Sequence, residues 1–128
     1  MRTPTGKISF AAAAFLFLSV VFPVLSYAQP ADNVNKLAAK ASRLYKERRY
    51  HEGIPVAEKV LAIQEKAFGP DHPKTATALN NLAAFYRAAG DYKKTEFLYK
   101  RALAIYEKAL GPEHVHTATA LNNLAELY

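Results

Sequence analysis

The four histidines are the first candidates for binding a metal ion or transferring protons, and the sequence contains no cysteine. His114 and His116 lie two residues apart, and His72 precedes His114 by 42 residues. A zinc site needs three or four ligands that converge on one point. We therefore predict that these histidines cap helices and form hydrogen bonds within connecting turns, and we predict no metal site.

Motifs of catalysis and cofactor binding are missing from the sequence. It contains no nucleophile elbow, no phosphate-binding glycine loop and no paired-carboxylate motif. Three of the five glycines, Gly69, Gly90 and Gly111, are accounted for by the ends of predicted helices. We predict a chain that is not an enzyme and that holds no cofactor.

Positive charge is concentrated in one short segment. The chain has 17 lysines and arginines against 11 acidic residues, a formal net charge of +6. Such a cluster is typical of a solvated helix face, and it could also attract an acidic peptide, an anionic phospholipid surface or nucleic acid. The segment runs from Lys36 to Arg49 with only Glu47 opposing it, and its basic members are Lys36, Lys40, Arg43, Lys46, Arg48 and Arg49.

The first 28 residues have the order of a secretory signal peptide. Arg2 and Lys7 precede an apolar stretch over residues 8–25, and small residues lead to a cleavage site predicted after Ala28. The alternative is an uncleaved membrane anchor, although the stretch is slightly short and Pro23 interrupts it. We predict export to a bacterial periplasm or beyond, which argues against nucleic acid, and we predict no nucleic-acid partner. Residues 29–34 are predicted to form a linker.

An internal repeat of 42 residues dominates the rest of the chain. Residues 61–86 align with residues 103–128, and 19 of these 26 positions are identical. Each unit of such an array buries its apolar face against its neighbours. Apolar residues recur at spacings of three and four within each unit, which predicts an all-α fold. The predicted units are 35–70, which is degenerate, 71–112, and 113–128, which supplies only a first helix.

These residues resemble the tetratricopeptide repeat, in the 42-residue form of kinesin light chains and many bacterial proteins. Leu79, Leu82, Ala83 and Tyr86 occupy the four signature positions of its first helix. The resemblance implies a superhelical solenoid of antiparallel helix pairs. It also implies that the first helix of each repeat lines a groove that holds a peptide or a partner helix.

Candidate peptide-binding residues follow from that resemblance. Asn81 and Asn123 recur one period apart, and their amides can bond the backbone of an extended peptide. The alternative is that they are solvent-exposed polar side chains without a ligand. Basic residues of the first unit, placed beside Asn81, are predicted to hold an acidic ligand group. The full candidate set is Lys36, Lys40, Arg43, Thr77, Asn81, Ala84, Arg87, Thr119 and Asn123.

The predicted function is therefore an exported scaffold for protein–protein interaction. One alternative is that the chain is the N-terminal part of a larger effector with a downstream catalytic domain, such as a caspase-like protease. A weaker alternative is binding to an anionic membrane through the basic first helix. The last helix leaves Leu121, Leu124, Leu127 and Tyr128 open, so we also expect further repeats, a partner or self-association there.

Overall fold

The structure, a computed structural model, describes residues 30–128, with the side chains described from Asn33 onward. The predicted signal peptide lies outside these residues. The described part consists of α-helices and the turns between them, which confirms the predicted all-α class. The helices are α1 (Pro30–Lys46), α2 (Tyr50–Phe68), α3 (Pro73–Ala88), α4 (Tyr92–Leu110) and α5 (Val115–Leu127).

The structure corrects the prediction of a linker over residues 29–34. Helix α1 begins at Pro30, so residues 30–34 are helical rather than extended. Proline is compatible with the first turn of a helix, where its missing N–H would have no partner in any case. The early proline that suggested a linker instead marks the start of α1.

From α2 onward, each helix packs against the next one along the chain. Helix α3 packs on both α2 and α4, and α4 also packs on α5. Helix α3 consequently has the most deeply buried apolar stripe, in which Ala76, Leu79 and Ala83 are fully buried. The first two repeats are the pairs α1–α2 and α3–α4, and α5 is the first helix of a third.

The turns that connect one repeat to the next use paired side-chain hydrogen bonds. The Nδ1 atom of His72 accepts a hydrogen bond from the Lys74 backbone N–H (3.1 Å), and that of His114 accepts one from His116 (3.1 Å). The predicted capping role of these two histidines is confirmed. Such caps accept hydrogen bonds from N–H groups of the first turn, which have no partner within the helix.

Two buried threonines hold the same turns from the other side. The Thr75 hydroxyl donates to the Gly69 carbonyl over 2.7 Å, and the Thr117 hydroxyl donates to the Gly111 carbonyl over 2.7 Å. Both threonines are fully buried. These bonds fix the end of one repeat to the start of the next, and sequence reasoning did not identify them.

The turns inside the first two repeats each contain one residue with a positive φ, but the residue type differs. Gly90 has a φ of 86°, the left-handed conformation that glycine adopts easily. The first repeat has no glycine in its shorter turn, and Arg48 takes a φ of 59° instead. The neighbouring Arg49 forms ion pairs with Glu47 and Glu52, which order this turn.

Gly53 of α2 lies at a close contact between α2 and α3. It is buried, and a Cβ atom added to it would overlap the ring of Phe85 on α3. Phe85 itself is 3% exposed. One repeat later, Thr95 of α4 is the equivalent of Gly53 and Leu127 of α5 is the equivalent of Phe85. The larger residue on α4 is thus accompanied by a smaller one on α5.

Replacing Thr75 with valine should destabilise the fold by about 1–3 kcal/mol, because the part-buried Gly69 carbonyl loses its donor while the volume is kept. Chemical denaturation measures the change. Thr75→Ser keeps the hydroxyl and should retain more of the stability. Equal stability of Thr75→Val and the wild type would show that the hydrogen bond contributes nothing.

Gly53→Ala should destabilise the fold by about 1–2 kcal/mol, even though alanine favours helices, since the new methyl group overlaps Phe85. The same substitution in a Phe85→Leu background should be neutral or stabilising. Thermal unfolding of the four proteins forms a double-mutant cycle. An identical effect of Gly53→Ala in both backgrounds would contradict this account of the contact.

Candidate functional site

A cavity of about 350 Å³ lies between α1, α2 and α3. Engineered cavities of about 150 Å³ already accept a benzene molecule, so this one has room for a large apolar side chain. Most of its walls are alanine, valine and aromatic carbon. The lining residues are Ala38, Ala41, Ser42, Tyr45, Lys46, Ala57, Val60, Ala78, Asn81, Ala84 and Phe85.

Small side chains at three positions account for this open space. The first repeat's turn is one residue shorter than the second's, so Ala38 and Ala41 of α1 correspond to Leu79 and Leu82 of α3. Ala57 of α2 corresponds to Tyr99 of α4, which is only 3% exposed. Between α3 and α5, in the equivalent groove, two leucines and a tyrosine therefore occupy the volume that is empty between α1 and α3.

The rims of the two grooves also differ. Between α3 and α5, the Arg87 guanidinium pairs with the Glu126 carboxylate over 3.2 Å. Their equivalents between α1 and α3 are Lys46 and Ala84, which cannot form an ion pair. The first groove is thus apolar inside, with Lys46 at its edge. Ala84, on the opposite side of the groove, offers no carboxylate to that lysine.

Aromatic rings form one end of the cavity. Tyr45 meets Phe85 edge to face, with ring centroids 5.3 Å apart, and meets Tyr50 in the same manner at 5.3 Å. Tyr45 is nevertheless 41% exposed, so part of its ring is accessible to a ligand. Partly exposed aromatic rings beside an apolar cavity are typical of recognition sites.

The repeats match a known family. Residues 36–108 and 76–128 match the tetratricopeptide repeat family. The chain is a member of that family. This confirms the resemblance read from the sequence.

Two solved structures share the tetratricopeptide repeat fold of this chain. BtubC (BKLC) from P. vanneervenii is 24% identical with a TM-score of 0.70, covering 78% of this chain and 39% of that one. The nearly identical TPR-like repeats of a candidate kinesin light chain from Podosopora anserina are 27% identical with a TM-score of 0.68, covering 78% and 47%. This chain thus spans less than half the length of either structure. No curated protein matches it significantly.

Tetratricopeptide repeats generally mediate protein–protein interaction and are generally not catalytic. Within residues 30–128, no group of three histidine, aspartate or glutamate side chains could hold a metal ion. In the same range, no helix is both long enough and apolar enough to cross a bilayer.

Two of the predicted peptide-binding residues, Asn81 and Ala84, line the cavity of the first tetratricopeptide groove. Asn81 is exposed, so its amide is available to a ligand. Its neighbour Asn80 differs, because its Oδ1 atom is buried and has no hydrogen-bond partner.

The basic residues predicted to lie beside Asn81 are placed elsewhere. Lys36, Lys40 and Arg43 are exposed, but none of them lines the cavity. They correspond to Thr77, Asn81 and Ala84 of α3. Equivalent positions of stacked repeats point in the same direction along the array, so these basic residues lie on the side of α1 away from α3.

Acidic groups close to these basic residues lie at the end of α1 and the start of α2. Hydrogen bonds from Arg49, and more weakly the charge of Lys40, lower the pKa of the Glu52 carboxyl at the start of α2. The Arg43 guanidinium lies 4.0 Å from the carboxylate of Glu47, the residue that follows α1. The basic residue at the cavity is Lys46, which sequence reasoning left out of the site. Lys46 is the equivalent of Arg87, which was predicted, so the repeat alignment could have identified it.

The hydroxyls of Thr77 and Thr119 are engaged within the repeats. The Thr77 hydroxyl lies 3.1 Å from the Pro73 carbonyl and 2.8 Å from the Tyr106 hydroxyl. The Thr119 hydroxyl donates to the Val115 carbonyl over 2.9 Å. Neither residue lines the cavity. A structural role therefore accounts for the repeated threonine.

Arg87 and Asn123 belong to the second groove. The hydrogen bond with Glu126 raises the pKa of the Arg87 guanidinium above its ordinary value. Asn123 is half-buried. Nearby, burial and a hydrogen bond to Glu58 raise the pKa of the Tyr86 phenol to about 12. Of the nine predicted residues, Asn81 and Ala84 thus line the open groove, Arg87 and Asn123 belong to the filled one, and the other five lie outside both.

Proposed function

We propose that this chain is a scaffold that binds a peptide or a partner helix in the groove between α1 and α3. The observation that carries the proposal is the cavity of about 350 Å³, which is lined mainly by apolar atoms and rimmed by a few polar groups. That combination is typical of sites that recognise a ligand through one buried side chain and a few oriented hydrogen bonds. Membership of a family that mediates protein–protein interaction supports it further.

An apolar side chain would supply most of the binding energy. Burying one leucine- or phenylalanine-sized side chain contributes about 1.5–3 kcal/mol. The ring of Phe85 and the exposed edge of Tyr45 offer flat surfaces against which an aromatic ligand side chain can pack. The cavity therefore favours a ligand with a large apolar anchor.

Polar groups at the rim would orient the ligand. Asn81 can both donate and accept hydrogen bonds to a peptide backbone, since an amide carries both kinds of group. Lys46 is exposed at the edge of the cavity and favours an acidic residue beside the anchor. Such an exposed charge contributes mainly to the association rate, and its effect falls as salt is added.

We further propose that the scaffold acts after export from the cytoplasm. The support is the charged, apolar and small-residue order of residues 1–28. Exported proteins often use disulfides, which this cysteine-free chain cannot form. Binding of an apolar side chain in the cavity does not require them.

Filling the cavity should abolish binding without harming the fold. The variant Ala38→Leu/Ala57→Tyr introduces the side chains that the second groove uses at the same two positions. Peptides first selected on the wild-type protein from a displayed library of random linear sequences serve as the probe. Their affinity, measured by fluorescence anisotropy, should fall by about tenfold or more, because a buried anchor is excluded.

A matched variant controls for added surface bulk. Ala104→Tyr places the same new side chain on the exposed surface of α4, away from the cavity, and should leave the affinity unchanged. The thermal stability of the filled variant should equal or exceed that of the wild type. Retention of full affinity by a folded, filled variant would refute binding in this groove.

A further inference from the structure

The N-terminal half of α1 has little packing against the other helices. None of residues 34–40 is buried, and only Val34 and Leu37 among them are half-buried. The equivalent residues 75–81 of α3 include four buried side chains, and residues 117–123 of α5 include two. Since α5, like α1, stands at one end of the described helices, a terminal position alone does not account for the exposure of α1.

Two substitutions between the repeats explain this exposure. Val34 stands where the other first helices have Thr75 and Thr117, whose hydroxyls donate to the preceding turn. Ala38 stands where α3 has the fully buried Leu79, and it lines the cavity instead of filling it. Two contacts that hold the start of α3 are therefore absent from α1.

The C-terminal end of α1 is, in contrast, firmly attached. Leu44 is 3% exposed, and Tyr45 packs edge to face on Tyr50 and Phe85. The Arg49 N–H donates to the Leu44 carbonyl over 2.9 Å, which closes the turn into α2. Helix α1 is thus fixed at one end, whereas its other half borders the cavity with few contacts.

A helical segment with so few buried contacts is marginally stable. Isolated helices shorter than about 12–15 residues are unstable in water, and helices in proteins depend on tertiary packing. Segments with few buried apolar contacts are also the ones that unfold locally at the lowest free energy. Residues 34–40 meet this description.

We propose that residues 34–40 form a labile wall of the first groove, which unfolds locally in the free protein and becomes ordered when an apolar ligand side chain fills the cavity. This inference rests on the function proposed above and adds that binding is coupled to the folding of α1. Ordering of the labile wall opposes binding, so the affinity of the groove depends on the stability of α1.

Hydrogen exchange followed by NMR tests the lability without any ligand. Backbone amides of residues 36–40 should exchange about fivefold or more faster than those of residues 119–123, the equivalent stretch of α5. Exchange that is no faster in α1 than in α5 would overturn the proposal.

The filled variant tests whether the cavity causes this lability. Ala38→Leu/Ala57→Tyr supplies side chains that can pack between α1 and α2, so it should slow exchange of residues 36–40 about fivefold or more without a ligand. The matched variant Ala104→Tyr, on the exposed surface of α4, should leave these rates unchanged. Unchanged rates in a folded, filled variant would contradict the proposed role of the cavity.

A peptide selected on the wild-type protein from the displayed library tests the coupling. At saturation it should slow exchange of residues 36–40 about tenfold or more, and that of residues 119–123 much less. Binding that the filled variant abolishes, but that leaves exchange in α1 unchanged, would overturn the coupling and leave the proposed function intact. Full affinity in the filled variant would instead refute the proposed function and the coupling with it, while exchange in the free protein would still report the lability.

Stabilising α1 outside the cavity should strengthen binding of the same peptide. Asn35→Ala puts a better helix former at an exposed position of α1 and should tighten binding by about two- to threefold. Asn122→Ala makes the same exchange at an exposed position of α5 and should leave the affinity unchanged. Equal effects of the two substitutions, or no effect of Asn35→Ala, would contradict the coupling.

Discussion

The volume of the side chains between successive first helices is the constraint on which the rest of this molecule depends. Repeats of one array stack in a similar way, so the size of the side chains between successive first helices decides whether that space is filled or open. Leu79 and Tyr99 fill the second space, whereas Ala38 and Ala57 leave the first open. One sequence motif thus produces a packed core in one groove and a cavity in the next.

That contrast gives the two grooves different surfaces. The first exposes apolar walls with Lys46 and Asn81 at the rim, and suits a ligand with an apolar anchor. The second is filled, and its accessible chemistry is confined to the Arg87–Glu126 contact at the edge. An array of nearly identical repeats can in this way present unlike surfaces, because a few substitutions between repeats change volume and charge without changing the backbone.

The sequence was sufficient for the all-α class, the family and the capping histidines, because period and helix-end chemistry are local properties. It was wrong about the linker, since proline is compatible with both a linker and a first helical turn. It placed Lys36, Lys40 and Arg43 beside Asn81 although equivalent positions cannot face one another across a groove. The close contact of Gly53 with Phe85 and the cavity itself depend on distances between helices, which no single helix encodes.

Mapping the bound peptide on the protein by NMR tests the central claim most directly. Amide chemical shifts of isotopically labelled protein would be followed during titration with a library-selected peptide. The account predicts that the largest changes fall on residues that line the first groove, including Ser42, Asn81 and Ala84. Changes confined to the opposite side of α1, at Lys36, Lys40 and Arg43, or to the outer surface of α4, would contradict it.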